Sequence, residues 1–213
     1  MISELFELYK NRGAFFFELI MEHLMISMIA IVIAFVLGLL LGILISEFPK
    51  SSNFVMGIVN FIYTIPSISL LGFLIPFSGI GNTTAVIALT VYALLPMVRN
   101  THAGITAIDP EIIEAAKGMG STRCQILLKV KLPLAFTGIL SGLRNMVVMT
   151  IALAGIASFM GAGGLGVAIY RGITTNNTVM TVAGSLLIAV IALVFDHALG
   201  LVERIVKRRR KLI

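Results

Sequence analysis

The side chains that could take part in catalysis or metal binding are few in this chain and lie far apart. The histidines His23, His102 and His197 stand near the ends of apolar runs, and Cys124 is the single cysteine. A metal site needs several ligands close together, and covalent catalysis needs a nucleophile beside a base. The sequence contains no such group, so we predict no catalytic residue, no metal site and no enzymatic activity.

The charged residues are instead concentrated in one segment, residues 109–133, with the sequence DPEIIEAAKGMGSTRCQILLKVKLP. Asp109 before Pro110 is typical of a helix start, because a carboxylate can cap the helix and proline fits its first position. Gly118 and Gly120 then weaken the helix and allow a sharp turn. The first half of the segment therefore predicts a short helix that ends at a glycine turn.

The second half of this segment predicts another short helix. Thr122 is followed three residues later by Gln125, which is the spacing of a capping box. We expect this helix to meet Pro133, which would open the next long helix. The neighbouring alanines Ala115 and Ala116 would leave a patch of small residues that another surface can approach closely.

The composition of the chain indicates that most of it lies in lipid. Of its 213 residues, 58% are hydrophobic and 12% are charged, and the mean hydropathy is +1.04. A soluble domain carries about twice this charged fraction. The net charge of +6 comes largely from one terminal tail, which is typical of membrane orientation rather than nucleic-acid binding. We therefore predict an all-α, polytopic membrane protein that binds lipid and no nucleic acid.

Five apolar runs approach the length of about 20 residues that a helix needs to cross a bilayer. They extend over 24–45, 54–77, 83–98, 133–159 and 178–201. Lysine and arginine are concentrated in 99–133 and in 204–213, and such residues favour the cytoplasmic side. We therefore expect about five transmembrane helices, an outer N-terminus, an inner C-terminus, and a cytoplasmic loop between the third and fourth helix.

These assignments divide the chain into three parts. Residues 1–22 mix acids with bases and lack a small-residue cleavage site, so they predict an extracytoplasmic or interfacial segment rather than a signal peptide. Residues 23–203 form the transmembrane domain, which includes the loop 99–133. Residues 204–213 form a basic cytoplasmic tail.

The spacing within the polar segment resembles the EAA loop of type I ABC-importer permeases, in which EAA is followed by a glycine and then by I-x-L-P. Val130 stands where that family pattern has isoleucine. In the family the loop contains a coupling helix that docks into a groove of an ATP-binding subunit. The resemblance implies this role for Glu114, Ala115, Ala116, Gly118, Met119, Gly120, Ser121, Arg123, Leu132 and Pro133.

The same resemblance implies the partners. The sequence lacks a GxxxxGK[ST] phosphate-binding loop, so ATP and Mg²⁺ would be bound by a separate ATPase subunit in two copies, and this chain would hold no cofactor. A second permease subunit, identical or homologous, and an extracytoplasmic solute-binding protein would complete the assembly in the bacterial cell membrane.

Two further stretches, residues 63–77 and 159–173, resemble permeases of the osmoprotectant branch. That branch imports glycine betaine, carnitine, choline and related quaternary ammonium solutes, and the likeness is to the short permeases of Gram-positive choline and carnitine systems. A methionine-type amino-acid importer remains an alternative, because those permeases share the length and the glycine patterns. An ATP-independent channel or secondary transporter is the alternative from another class.

Candidate residues of a solute pathway surround two prolines in the second apolar run. Pro66 and Pro76 should kink the helix, and the carbonyl groups that proline frees must face protein or water. Tyr63, Ser67 and Ser69 would then line a pathway. A packing kink with serines at a helix contact is an equal alternative.

Arg144 is the deepest charge within an apolar run. It either faces a cavity, where it could contact the carboxylate of betaine or carnitine, or lies near the inner headgroups and snorkels to them.

The glycines Gly161, Gly163, Gly164 and Gly166 suit a tight turn or re-entrant loop on the outer side. They could form an outer gate or contact the binding protein, or they could form a plain connecting turn.

Overall fold

The computed structural model describes residues 1–209, and every regular element within them is helical, which confirms the predicted all-α class. The α-helices are α1 (Ile2–Asn11), α2 (Gly13–Glu47), α3 (Pro49–Thr64), α4 (Ser67–Ser78), α5 (Asn82–Thr106), α6 (Pro110–Gly118), α7 (Arg123–Ile126), α8 (Leu132–Ala157), α9 (Gly166–Thr174) and α10 (Thr178–Arg209). A π-helical segment, Leu127–Lys131, joins α7 to α8, and a 3₁₀ turn, Ser158–Met160, follows α8.

The helices α2, α5 and α8 form the centre of the bundle, where small residues allow close approach. Gly38 of α2 faces Met97 of α5, and a Cβ atom placed on Gly42 would lie 2.6 Å from the Cβ of Thr101. Gly142 of α8 packs against α5 in the same way. Glycine disfavours a helix by about 1 kcal/mol relative to alanine, so its use here indicates that close contact between the helices compensates.

The second predicted span is broken rather than kinked. The helices α3 and α4 meet at Pro66 with a bend of 97°, whereas Pro76 lies inside α4, which continues to Ser78. Four helical segments of residues 1–208 are long and apolar enough to cross a membrane, and the bent pair raises this number to five. The predicted count of about five spans is confirmed when the bent pair is counted as one span.

The N-terminal region consists of a short helix and the beginning of a long one. Residues 2–11 form α1, and α2 begins at Gly13, well before the apolar run at 24. With 35 residues, α2 is about 52 Å long, which exceeds the hydrocarbon thickness of about 30 Å. Its first turns therefore extend beyond the lipid core, and α1 is held against α10 by Tyr9, whose hydroxyl donates to the carbonyl of Ala183 at 2.8 Å.

The two ends of the bundle differ in character. One end, called the coupling end here, contains the C-termini of α2 and α5 together with α6 and α7. It carries a cluster of basic residues that includes Lys50, Lys117, Arg123, Lys129, Lys131 and, at the end of α10, Lys207. The other end, called the outer end, contains the start of α5 and the glycines after α8. Arg210, Lys211 and the two residues after them in the predicted basic tail lie outside the described residues.

We predict that Gly42→Ala separates α2 from α5, because the added methyl group would overlap Thr101 and approach the carbonyl of Val98 to 3.1 Å. Overpacking of this kind costs about 1–3 kcal/mol. Gly57→Ala is the matched control, since a Cβ there meets no atom within 4 Å. Thermal melting of the purified protein should show a lower melting temperature for Gly42→Ala only. Equal melting temperatures would contradict the close α2–α5 contact.

Candidate coupling loop and translocation site

The coupling loop begins as the sequence predicts. The Asp109 carboxylate accepts a hydrogen bond from the amide of Glu111 at 2.9 Å and caps α6, and Pro110 occupies the first helical position. The helix ends at Gly118, and Gly120 adopts a left-handed conformation with φ of +81°. The turn therefore requires glycine at position 120, because a residue with a side chain is strained in that conformation.

The turn is closed by backbone hydrogen bonds rather than by side chains. The amide of Gly120 donates to the carbonyl of Lys117 at 2.9 Å, and the amide of Ser121 donates to the carbonyl of Ala116 at 3.1 Å. These bonds satisfy carbonyl groups at the end of α6. The two short helices consequently form one rigid hairpin on the coupling end.

The exposed surface of this hairpin differs from the expected patch of small residues. Ala115 is exposed, but Ala116 is buried at 2% exposure and faces the protein's own bundle. Met119 is instead 80% exposed at the tip, and Glu114 and Arg123 are exposed beside it. An apolar tip flanked by charges is the surface that this loop presents to a partner.

The second half of the loop is continuous with a transmembrane helix. Thr122 and Gln125 form the predicted capping box, with the Thr122 hydroxyl accepting from the Gln125 amide and the Gln125 side chain accepting from the Thr122 amide. The helix then passes through the π-helical segment into α8, so that Arg123–Met160 forms one run of 38 residues. Pro133 lies with Leu132 in the first turn of α8, as predicted, although α8 is continuous with the π-helical segment before it.

An ion pair fastens this junction to the first long helix. Lys131, at the end of the π-helical segment, contacts Glu47 at the end of α2 at 2.5 Å, and both side chains are less than one-third exposed. A crevice of about 330 Å³ lies beside the pair, between α6 and the bundle, and is lined by Glu114 and Lys117 among others. The second half of the loop is therefore joined to α2 as well as to α8.

The break between α3 and α4 brings aromatic and carbonyl groups together. The carbonyl of Ile65, which the break frees, accepts a hydrogen bond from the Tyr92 hydroxyl of α5. The ring of Tyr63 stands edge-on to that of Tyr92 with centroids 5.9 Å apart. Tyr92 is ten residues from the start of α5, which places the break about 15 Å along that helix from its outer end. Of the predicted pathway serines, Ser67 is half-buried and Ser69 is exposed.

Arg144 forms ion pairs with two carboxylates of α10. Its Nε and Nη2 atoms donate to the two oxygens of Asp196 at 2.6 and 2.8 Å, and its Nη1 lies 3.4 Å from Glu203. Glu203 also pairs with Lys207 at 2.9 Å. The absence of a side chain at Gly200 leaves room for the guanidinium, which a Cβ there would approach to 3.2 Å. This neutral network joins α8 to α10.

The four glycines after α8 belong to one compact loop at the outer end, residues 161–166, called the glycine loop here. Gly161 and Gly164 have φ of +80° and +88°. A Cβ on Gly163 would lie 1.9 Å from the Glu22 carboxylate, and one on Gly166 would lie 2.0 Å from the carbonyl of Gly155. The loop is therefore packed too closely against other elements to be a plain exposed turn.

Several residues that sequence reasoning missed hold the elements together over long sequence separations. They are Glu22 and Asn82 beside the glycine loop, His23, whose Nε2 lies 3.0 Å from the carbonyl of Ile151, and Glu47 beside Lys131. The only signal in the sequence was their position at the ends of apolar runs. Within residues 1–209, no three side chains of His, Cys, Asp or Glu approach closely enough to form a metal site.

Comparisons with known proteins agree with this geometry. Residues 34–212 match the family described as binding-protein-dependent transport system inner membrane component. The chain is 40% identical over 182 residues to the carnitine transport permease protein OpuCB of Listeria monocytogenes, covering 85% of this chain and 84% of that protein. It is 36% identical over 205 residues to the glycine betaine/carnitine/choline transport system permease protein OpuCD of Bacillus subtilis, covering 96% and 90%.

A solved structure shows the same fold. A chain from inward-facing conformations of the MetNI methionine ABC transporter is 28% identical, with a TM-score of 0.82 over 90% of this chain and 95% of that one. The family match covers most of the sequence, and the helical bundle with its capped loop is the fold of a solved ABC transporter chain. The chain therefore belongs to the binding-protein-dependent inner membrane components, the multi-pass permease subunits of ABC transport systems.

Proposed function

We propose that this chain is the permease of an ATP-driven importer for glycine betaine, carnitine, choline or related quaternary ammonium solutes. The observation that carries the substrate class is its identity to carnitine and glycine betaine/carnitine/choline permeases over 85–96% of its length. Membership in a binding-protein-dependent family favours this function over an ATP-independent channel or secondary transporter. Uptake measurements with each solute will show which member of this group is transported.

The proposed mechanism begins at the coupling loop. The tip around Met119 docks into a groove of the ATP-binding partner, where its exposed apolar side chain is removed from water. Because α7 continues into α8 and Lys131 holds Glu47, a rigid-body displacement of the loop moves α8 and α2 together. ATP and Mg²⁺ belong to that partner in this proposal.

The proposed assembly contains two ATPase subunits, this permease with an identical or homologous second permease, and an extracytoplasmic solute-binding protein. The N-terminus lies outside and the coupling end lies in the cytoplasm, because the basic residues are concentrated at the coupling end. In this orientation the glycine loop faces the side on which a binding protein would deliver the solute.

The solute pathway is proposed to pass the break between α3 and α4. Pro66 interrupts the helix at membrane depth, where irregular backbone is tolerated beside protein or a water-filled cavity. The exposed ring of Tyr63 there can contact a quaternary ammonium group through a cation–π interaction, and the buried ring of Tyr92 packs edge-on against it. Ser67 and Ser69 follow directly on α4. A passage with few aromatic rings leaves high-affinity selection to the binding protein.

A methionine-type importer is the second candidate. The observation that favours it is the TM-score of 0.82 to a methionine transporter chain, although that chain is only 28% identical. Fold similarity does not determine the substrate, so the nearly full-length relatives at higher identity weigh more.

Uptake into proteoliposomes tests the proposed function directly. The complete complex with its binding protein should accumulate radiolabelled glycine betaine, carnitine or choline in an ATP-dependent manner, and methionine should not be accumulated. The reason is that the solute must be recognised by its trimethylammonium group. Uptake of methionine alone would overturn the substrate assignment, and uptake without ATP would overturn the importer mechanism.

Replacement of Gly120 by proline should uncouple ATP hydrolysis from uptake. Proline cannot adopt a φ of +81° and loses the amide that donates to the Lys117 carbonyl, so the turn is distorted. We expect the uptake per ATP hydrolysed to fall about tenfold, which lies within the usual range of coupling between two sites. Gly57→Ala is the control, because Gly57 is helical, lies outside the coupling loop, and a Cβ there meets no atom within 4 Å. Unchanged coupling in the Gly120→Pro complex would refute the role of the loop.

We assign Arg144 to the contact between α8 and α10 rather than to the solute, because Asp196 occupies two of its donors. Arg144→Gln leaves Asp196 without its cation, while Glu203 keeps its ion pair with Lys207, and the contact between α8 and α10 is weakened. The variant should therefore lower the melting temperature and reduce the uptake of choline and glycine betaine equally. Choline has no carboxylate, so a selective loss of glycine betaine uptake would show instead that Arg144 contacts the solute.

A further inference from the structure

The glycine loop is held at the outer end by two polar side chains from different helices. The Glu22 carboxylate of α2 accepts a hydrogen bond from the Asn82 side-chain amide at 3.2 Å through Oε1 and from the amide of Gly164 at 3.0 Å through Oε2. The side-chain carbonyl of Asn82, at the start of α5, accepts the amide of Gly163 at 2.8 Å. Two consecutive loop amides and two helices therefore meet in one hydrogen-bonded ring.

This ring is specific in the roles of its donors and acceptors. Glu22 accepts both of its bonds, whereas Asn82 donates one and accepts one. Glu22 has no lysine or arginine partner among the ion pairs of residues 1–208. Its carboxylate is half-buried and is stabilised by neutral donors alone. Because this side chain is partly exposed, the carboxylate can be hydrated when the ring opens, and the charge is not left in lipid.

The loop fits its place so closely that it cannot shift while the ring is closed. The Cα of Gly163 stands directly against the Glu22 carboxylate, and Gly164 packs against the backbone and ring of His23. Ser158, in the turn after α8, donates to the carbonyl of Gly163 at 2.8 Å. The loop thus connects the outer end of α8 to α2 and α5 through these hydrogen bonds, and its side chains Ala162 and Leu165 are buried in the apolar core beside them.

We propose that Glu22 and Asn82 form a latch that holds the glycine loop closed over the outer end of the bundle, and that solute transfer requires this latch to open. The inference rests on the proposed importer function and adds two positioning residues to it. In the proposed orientation the binding protein docks on this side. Opening of the latch then releases the glycine loop from Glu22 of α2 and Asn82 of α5 only while a loaded binding protein is bound, which prevents hydrolysis without transport.

The first test measures the loop itself and needs no solute. In a Cys124→Ser background, Ala162→Cys places a thiol in the glycine loop, where Ala162 is 4% exposed. Labelling with a membrane-impermeant maleimide should be slow in the complete complex. Glu22→Gln leaves two donors facing each other in the ring, and Asn82→Asp opposes two carboxylates, so each should speed labelling about tenfold by local opening.

The variant that combines both substitutions gives the decisive test. In the Glu22→Gln/Asn82→Asp variant, the new amide of residue 22 can donate to the new carboxylate of residue 82, and both loop amides keep their acceptors. Labelling should return to the slow rate. Glu18→Gln is the matched control, because Glu18 lies one turn away on the exposed side of α2 and loses the same charge. Fast labelling of the double variant, or unchanged labelling of the single variants, would overturn the latch.

The second test asks whether the latch serves transport. The single variants should hydrolyse ATP about tenfold faster without binding protein and transport less solute per ATP, while the double variant behaves like the original protein. A role in stability alone would lower the melting temperature and leave the uptake per ATP unchanged, which would refute the transport role. If a single variant does not assemble, Glu22→Asp replaces it, because the shorter side chain keeps the charge but cannot reach both donors. Failure of the original complex to take up any quaternary ammonium solute would refute the proposed function, while the labelling result would still decide the latch.

Discussion

Lipid offers no hydrogen bonds, and this constraint governs the whole structure, because every backbone amide and carbonyl at membrane depth needs a partner inside the protein. Most of the chain meets it with long uninterrupted helices. The exceptions are few, and each has a dedicated partner. The break at Pro66 frees the carbonyl of Ile65, which Tyr92 satisfies, and the glycine loop directs the amides of Gly163 and Gly164 to Asn82 and Glu22. The coupling turn lies outside the lipid and closes by local backbone bonds.

The distribution of close packing separates a rigid part from a movable part. The contacts between α2, α5 and α8 rest on glycines and buried side chains that tolerate no displacement without overlap. The pair α3 and α4 carries large exposed apolar residues, including Phe61 and Phe73, and buries few side chains against the bundle. A bundle built in this way can rotate as a body while the broken helix and the outer loop rearrange at its edges.

The sequence was most informative where structure is determined locally. The caps at Asp109 and Thr122 and the turn at Gly120 depend on residues within a few positions of one another, so their types and spacing were sufficient to predict both helices. The apolar runs predicted the long helices for a similar reason. The prediction for Ala116 was wrong because the side of α6 that faces the bundle depends on the path of the whole chain.

Long-range pairs could not be derived from a single sequence. Glu22 and Asn82 are 60 positions apart, and Arg144 and Asp196 are 52 apart, so no periodicity links them. The π-helical segment Leu127–Lys131 was not predicted either: it joins α7 to α8, so that the helix continues up to Pro133 in the first turn of α8. These features require tertiary structure to be recognised, and they are also the ones that connect separate helices.

The continuous helix Arg123–Met160 relates the two functional regions to each other. Its 38 residues extend about 57 Å, enough to place the coupling turn before one end and the glycine loop after the other. A displacement imposed near Gly120 therefore reaches Ser158 without passing through a flexible joint, and Ser158 bonds directly to the loop at Gly163. In the proposed mechanism, α8 pulls the loop from one side, while Glu22 and Asn82 hold it from the other. A movement that begins at the coupling end would then change the outer end only when those hydrogen bonds break.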